Sequence, residues 1–404
     1  MARVVRMLVG SVVATCVVAV GSIAGAQPVP EPRPFLSGLA FPTNLAFTPD
    51  GRLLFTEKET GNVRVVTREG DLLPAPFATF AVSAAAETGM LGIAVHPSFD
   101  EEPWVYLYFS DAASGRNVLV RVRAEGDVAG ARDDLRVLLP TSTGYHNGGD
   151  LAFGTDGMLY VAVGEGHEPA RAQITTDPGG KILRLAPDGA AAPGNPFGRD
   201  NPVYSLGHRN SFGLCVDPAT GLVWETENGP DVDDEVNVLR AGGNFGWPEV
   251  TGDSGGRFDD PVAVFPTPEA LTGCAAWRGE LWFGAANTGV LYRMALDPGG
   301  ATPQRAAELG APVTDVAAGV DGDLYVATAD AIWRLDGEGS PRPTRSATVT
   351  SDQTGRTGGP TDIPDAPGDD GGVPAAVPIA AGILLVAGLT ARVIAGRRLR
   401  RDLG

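Results

Sequence analysis

Lysine is nearly missing from this chain. Lys58 and Lys181 are the only two in 404 residues, and histidine (4) and cysteine (3) are almost as scarce. Acidic residues outnumber Lys plus Arg by 49 to 31, for a formal net charge of −18. Such a surface repels phosphates, which excludes nucleic acid as a partner, and it keeps the protein soluble in a salty exterior. No Cys-x-x-Cys-His occurs, so no covalently attached haem carries electrons. Long helical periodicity is lacking between the termini, and 55 glycines with 33 prolines rule out a helical bundle.

The two ends stand apart from the body. Residues 1–26 carry Arg3 and Arg6, an apolar run and a small-residue Ala24-Gly25-Ala26 site, the pattern of a secretory signal with the mature chain starting at Gln27. Loss of that leader leaves only Cys215 and Cys274, which are either one disulfide or two small core residues. Residues 340–372 are rich in Pro, Thr, Gly, Ser and Asp and read as a disordered linker. Residues 373–395 read as a single transmembrane helix whose apolar part reaches about 28 Å, close to bilayer thickness. The arginines at 397, 398, 400 and 401 place the 396–404 tail in the cytoplasm and the body outside.

Between the ends, over 27–339, one phrase returns six times. A tight turn is followed by an apolar alternation and then a second strand. Asp50-Gly51, Asp156-Gly157 and Asp321-Gly322 supply the turn, and Leu159-Tyr160-Val161 and Leu324-Tyr325-Val326 supply the alternation. Period-two alternation marks half-buried strands, and six units too small to bury their own faces favour radial closure. The expected fold is all-β, a six-bladed β-propeller.

Candidate chemistry lies in the connecting loops. His146, followed by Asn147-Gly148-Gly149, offers an imidazole able to take a proton from a hydroxyl, although a histidine bonding its own loop would look the same. Arg209 and Asn210 set a fork of donors beside an amide, suited to a carbonyl or carboxylate. The stretch from Glu227 offers hard oxygen ligands of the kind Ca²⁺ selects: the carbonyls around Gly229 and Pro230 and the carboxylates of Asp231, Asp233, Asp234 and Glu235. Its spacing is not that of an EF-hand.

Several motifs in fixed order resemble one family. They are Met90-Leu91-Gly92-Ile93-Ala94-Val95-His96-Pro97, His146-Asn147-Gly148-Gly149, Gly179-Gly180-Lys181-Ile182-Leu183-Arg184, Asn195-Pro196-Phe197, Gly207-His208-Arg209-Asn210, Gly229-Pro230 through Asp234-Glu235-Val236-Asn237, and Gly243-Asn244-Phe245-Gly246-Trp247-Pro248. The set is similar to the soluble quinoprotein glucose/sorbosone dehydrogenases, especially the aldose sugar dehydrogenase branch. The resemblance spans about residues 35–338. It implies a six-bladed propeller that binds pyrroloquinoline quinone (PQQ) and calcium and oxidises the anomeric carbon of aldoses to lactones. By position it implies His146 as general base, Arg209 and Asn210 as quinone contacts, Glu87 as a further cofactor contact, and Gly229 and Pro230 as carbonyl ligands of calcium. Tyr145 stands where some members carry an acidic partner of the base.

The chain departs from that pattern in its last two blades. Asn287 aligns with a cofactor-anchoring lysine, and Pro312 and Thr314 align with two arginines. Either a cation such as Arg278 compensates, or the cofactor is not bound. The sequence therefore supports a membrane-tethered, extracytoplasmic PQQ-dependent aldose dehydrogenase passing electrons to an unidentified acceptor. Its rivals are a cofactor-less, calcium-stabilised binding module at the cell surface and a lactonase-type hydrolase.

Overall fold

A computed structural model describes residues 29–337 together with 347–348. The leader, most of the linker, the expected span and the tail lie outside the described residues. Six sheets follow one another along the chain, five of them four-stranded, each an antiparallel meander. The innermost strands are Pro42–Phe47, Met90–Val95, Gly148–Phe153, Ser211–Val216, Leu271–Trp277 and Val313–Ala318. Each touches the innermost strands of both neighbours, so the six close into a ring around an axis. The expected six-bladed propeller is what forms.

The ring is sealed by chain ends remote in sequence. The sixth blade's outer strand is Arg33–Ser37, paired antiparallel with Ala331–Leu335 so that Leu36 faces Ile332. Ala347–Thr348 adds a parallel strand outside it. Each of the six repeats read from the sequence falls on the second and third strands of one blade, and only the outer strand of the sixth comes from the other end of the body.

No blade owns a core. Val63 and Val65 of the first blade share a cluster with Val105, Leu107 and Phe109 of the second, and Trp224 and Val236 of the fourth share one with Leu281 and Phe283 of the fifth. Burying each such side chain contributes about 1.5–3 kcal/mol, gained only when blades meet. Close approach at the axis demands glycine: a Cβ on Gly92 would lie 1.9 Å from the Gly149 carbonyl oxygen. Alternation within each strand supplies one face to each neighbour, which is why the repeat reads with period two.

Polar cross-ties lace the inner strands together. Asn44 donates to Asp150 Oδ1 (2.9 Å) and accepts from Ile93 N (2.8 Å). Asp150 also accepts from Leu214 N (2.6 Å), and Asp315 accepts from Leu45 N (2.7 Å). Burial pushes the Asp150 carboxyl up to about 6 and raises Asp315 too, with Asp150 adding repulsion to the latter. A disulfide joins Cys215 to Cys274, so the alternative left by the sequence resolves as a staple between the inner strands of blades four and five. Beside these groups the axis widens into a cavity of about 500 Å³.

Each inner strand begins with a register irregularity, as between Gly148 and Leu151 or between Ser211 and Gly213. Bulges at strand ends bend the chain and re-aim side chains. All six lie at the same mouth of the ring, where His146, Arg209 and Asn210 sit just ahead of their strands. Among the described residues no helix is long and apolar enough to cross a membrane.

Candidate active site

His146 precedes the third inner strand with a left-handed backbone (φ 54°). Its amide donates to Glu87 Oε2 (2.7 Å), and its carbonyl accepts from Gly166 N (3.0 Å). Ring Nδ1 lies 2.6 Å from Glu165 Oε1. Glu165 is fully buried, its Oε2 has no partner, and its amide is held by the Arg209 carbonyl (2.9 Å). A carboxylate on Nδ1 fixes the proton there and leaves Nε2 as the nitrogen able to accept another.

Glu87 is a brace between two blades. The same Oε2 that holds the His146 amide accepts from Asn210 Nδ2 (3.1 Å), and Asn210 Oδ1 accepts from Gly148 N (3.4 Å). Arg209 Nη1 donates to the Asn228 carbonyl (2.9 Å), and the guanidinium lies over the Trp247 ring at 5.4 Å. Burial lowers the Arg209 pKa, while Glu165, Glu87, Glu227 and Asp234 pull it upward. His146, Glu87, Arg209 and Asn210 are therefore brought together, as the sequence expected.

The acidic stretch divides. Asp234 Oδ1 accepts from Gly229 N (2.9 Å), and its Oδ2 accepts from Glu269 N (2.8 Å) and Ala270 N (2.7 Å), so it ties the 229 loop to the next blade. Asp234 and Glu235 are neighbours on a strand and point to opposite faces, which separates the two as candidate ligands of a single ion. Glu235 instead pairs across the strands with Glu227. Both line a cavity of about 10 Å³ with Asn228, Gly229 and Asp233, room for one water or ion, and Pro230 is not among its lining residues. Burial, then repulsion from Glu227, pushes the Glu235 carboxyl up to about 8.

Next to it, His208 is enclosed by Glu225 (3.0 Å), Glu227 (3.2 Å) and Ser205 Oγ (2.8 Å). Burial alone would lower its pKa, but the two carboxylates raise it to about 10. The His208, Glu225 and Glu227 donors are close enough to hold a metal. An imidazolium already supplies the positive charge there.

Three features were missed or misjudged from the sequence. Glu165 is the acidic partner of His146, in place of position 145, where Tyr145 is 47% exposed. Its signal was a lone glutamate between Gly164 and Gly166, just past the strand Leu159–Val163. Lys58, from the first blade, lies buried over the Phe41 ring and reaches the Ala84 carbonyl (3.4 Å) beside Glu87, a second cation at this mouth. Arg278 cannot stand in for the anchoring cations. It follows the far end of Leu271–Trp277, at the opposite mouth, over the Trp277 ring. Asn287 spends its amide on the Pro268 carbonyl (3.2 Å), and Thr314 Oγ1 is buried without a partner.

Fold and mouth together define a class: a six-bladed propeller whose mouth pairs a carboxylate-backed imidazole with a guanidinium and an amide. The chain belongs to the Glucose / Sorbosone dehydrogenase family, whose sequence model matches residues 39–335. It is 34% identical to the PQQ-bound aldose sugar dehydrogenase of Streptomyces coelicolor, with a TM-score of 0.69 over 77% of this chain and 99% of that one. It is 27% identical to the aldose sugar dehydrogenase YliI of Escherichia coli, over 74% of this chain and 89% of that protein. Quinoprotein glucose dehydrogenase B of Acinetobacter calcoaceticus is 30% identical over 55% of this chain and 53% of its own length.

Proposed function

We propose that the protein is a PQQ- and Ca²⁺-dependent aldose dehydrogenase that converts the anomeric C–OH of a sugar to a lactone. The carrying observation is the His146–Glu165 pair, set beside Arg209 and Asn210 and braced to Asn210 through Glu87. PQQ, when bound, supplies the two-electron acceptor for hydride leaving the sugar. His146 Nε2 takes the hydroxyl proton, and buried Glu165 stabilises the resulting imidazolium. Arg209, packed over the Trp247 ring, offers positive charge where negative charge develops.

The residues fit a quinone at one end and less well at the other. Arg209 and Asn210 would hold the quinone, while Glu87 keeps Asn210 in place. At the side of blades five and six, the loops 266–270, 286–289, 309–312 and 329–330 contain no Lys or Arg. The Asn287 amide is engaged with the Pro268 carbonyl, and the Thr314 hydroxyl is a buried donor left without a partner there. The fit to calcium rests on the ion-sized cavity, its two mutually repelling carboxylates, and the buried Asn237 Oδ1 that lacks a partner next to them. Gly229 belongs to that lining.

The weak carboxylate end favours one second reading, a cofactor-less binding module. One experiment decides. The full chain given Ca²⁺ and PQQ should reduce an artificial dye only when an aldose is present, whereas no PQQ binding by calorimetry up to millimolar cofactor would establish the module. The leader, the linker and the apolar span of the sequence support display on the extracytoplasmic side of a membrane with a cytoplasmic tail. Protease added to intact cells should then release the propeller, and full protection would refute that orientation.

A further inference from the structure

His146 is only 6% exposed, and its ring is committed to Glu165 on one side. A base so enclosed must return its proton to solvent before it can act again. The other groups around it are poor exits. Glu165 is sealed, Glu87 Oε2 is taken up by the His146 amide and Asn210, and the Arg209 guanidinium has no acceptor.

One titratable ring bridges the gap. His167 is exposed, and its imidazole meets that of His146 edge to face with centroids 4.9 Å apart. On its outer side it approaches the exposed Tyr145 ring at 6.0 Å. The neighbouring Glu168 is paired with Arg171 (2.9 Å), which keeps that carboxylate engaged. The loop is held for this placement: Gly166 and His167 are both left-handed (φ 68° and 64°), Gly166 N binds the His146 carbonyl, and Thr143 Oγ1 donates to the Gly166 carbonyl (3.2 Å). A left-handed conformation costs a non-glycine residue about 1–2 kcal/mol, so the fold keeps an imidazole where a glycine would rest more easily.

We propose that His167 is the exit for the proton that His146 removes from the sugar. This rests on the dehydrogenase reading of the same site. The anomeric O–H gives its proton to His146 Nε2, and C1 gives hydride to the quinone oxidant, so that C–OH becomes the lactone C=O. After the lactone leaves, the proton moves from Nε2 to His167, through one bridging water or by rotation of the exposed ring, and then to bulk water or buffer. Glu165 keeps Nδ1 protonated throughout.

His167→Gln in the full, Ca²⁺- and PQQ-loaded chain should lower kcat about tenfold in dilute buffer with the sugar KM unchanged. Added imidazole buffer should restore the variant and leave the wild type unaltered. His167→Glu, which puts a titratable group back, should need no such rescue. A loss equal in all buffers, or no loss, overturns the proposal. A second readout needs no cofactor: the chain has four histidines, so ring titrations in histidine-labelled protein are separable by NMR. Here the His146 curve should change when His167→Gln is introduced, and an unchanged curve overturns the pairing. If the wild type reduces no dye, the dehydrogenase reading itself has failed, and the titration alone decides whether the two rings exchange protons.

Discussion

Nδ1 of His146 lies 2.6 Å from Oε1 of Glu165, nineteen residues further along the chain, and the other Glu165 oxygen is buried without a partner. The pair fixes which ring nitrogen can act. Glu165→Gln keeps the shape but removes the charge that selects the tautomer and steadies the imidazolium. We expect kcat to fall by about 10²–10⁴, with PQQ affinity by calorimetry little changed.

Thr314 carries a buried hydroxyl with no partner at the end of the pocket that lacks cations. Thr314→Arg should tighten PQQ binding by about 10- to 100-fold, since a charge-assisted contact contributes about 1.5–3 kcal/mol. Titration calorimetry measures the change. An unaltered dissociation constant would place the cofactor's carboxylates elsewhere.

Calcium should raise the melting temperature of the metal-free protein and chelator should lower it, by mass action on the folded state. Glu235→Gln should shrink that calcium-dependent difference, because Glu235 lines the ion-sized cavity. Asp234→Asn should lower the melting temperature with and without calcium, because both its oxygens brace backbone amides.

His208 sets an alkaline limit. Its folded-state pKa of about 10 lies above the ordinary 6.5, so its contribution to stability is fully present below about pH 6.5 and is lost as pH rises through about 10. Urea unfolding at pH 6.5 and 10.5 should show a clear loss for the wild type. His208→Gln should be less stable at pH 6.5 and show a smaller change between the two.

The Cys215–Cys274 bridge closes a loop of 59 residues between two inner strands. Replacing both cysteines with serine should lower stability by about 2–4 kcal/mol in urea unfolding, the usual range for a bridge of this kind.

The blade count was legible because each blade needs a turn residue and a period-two strand, both of which are local. The closing strand Arg33–Ser37 was not, since its pairing with Ala331–Leu335 is set by ring closure. His146, Arg209 and Asn210 stand in motifs whose order could be matched. Glu165 could not be chosen among 49 acidic residues before the fold brought it to His146. The opposite error was Arg278, a cation of suitable type that the strand direction carries to the wrong mouth. Asp234 and Glu235 looked alike in sequence, and only the alternation of a strand parts them.

The pairing of Arg33–Ser37 with Ala331–Leu335 also puts the first and last strands of the body side by side on its rim. A short linker from residue 337 back to residue 29 should join them with the loss of only the two-residue edge strand Ala347–Thr348, because neighbouring ends tolerate circular permutation. New ends opened at Gly126, in the exposed hairpin between Arg116–Glu125 and Val128–Pro140, would leave the mouth that holds His146 untouched. A permutant of that kind could be attached to a surface from a different side of the ring, changing which face of the propeller meets its surroundings while keeping the same pocket.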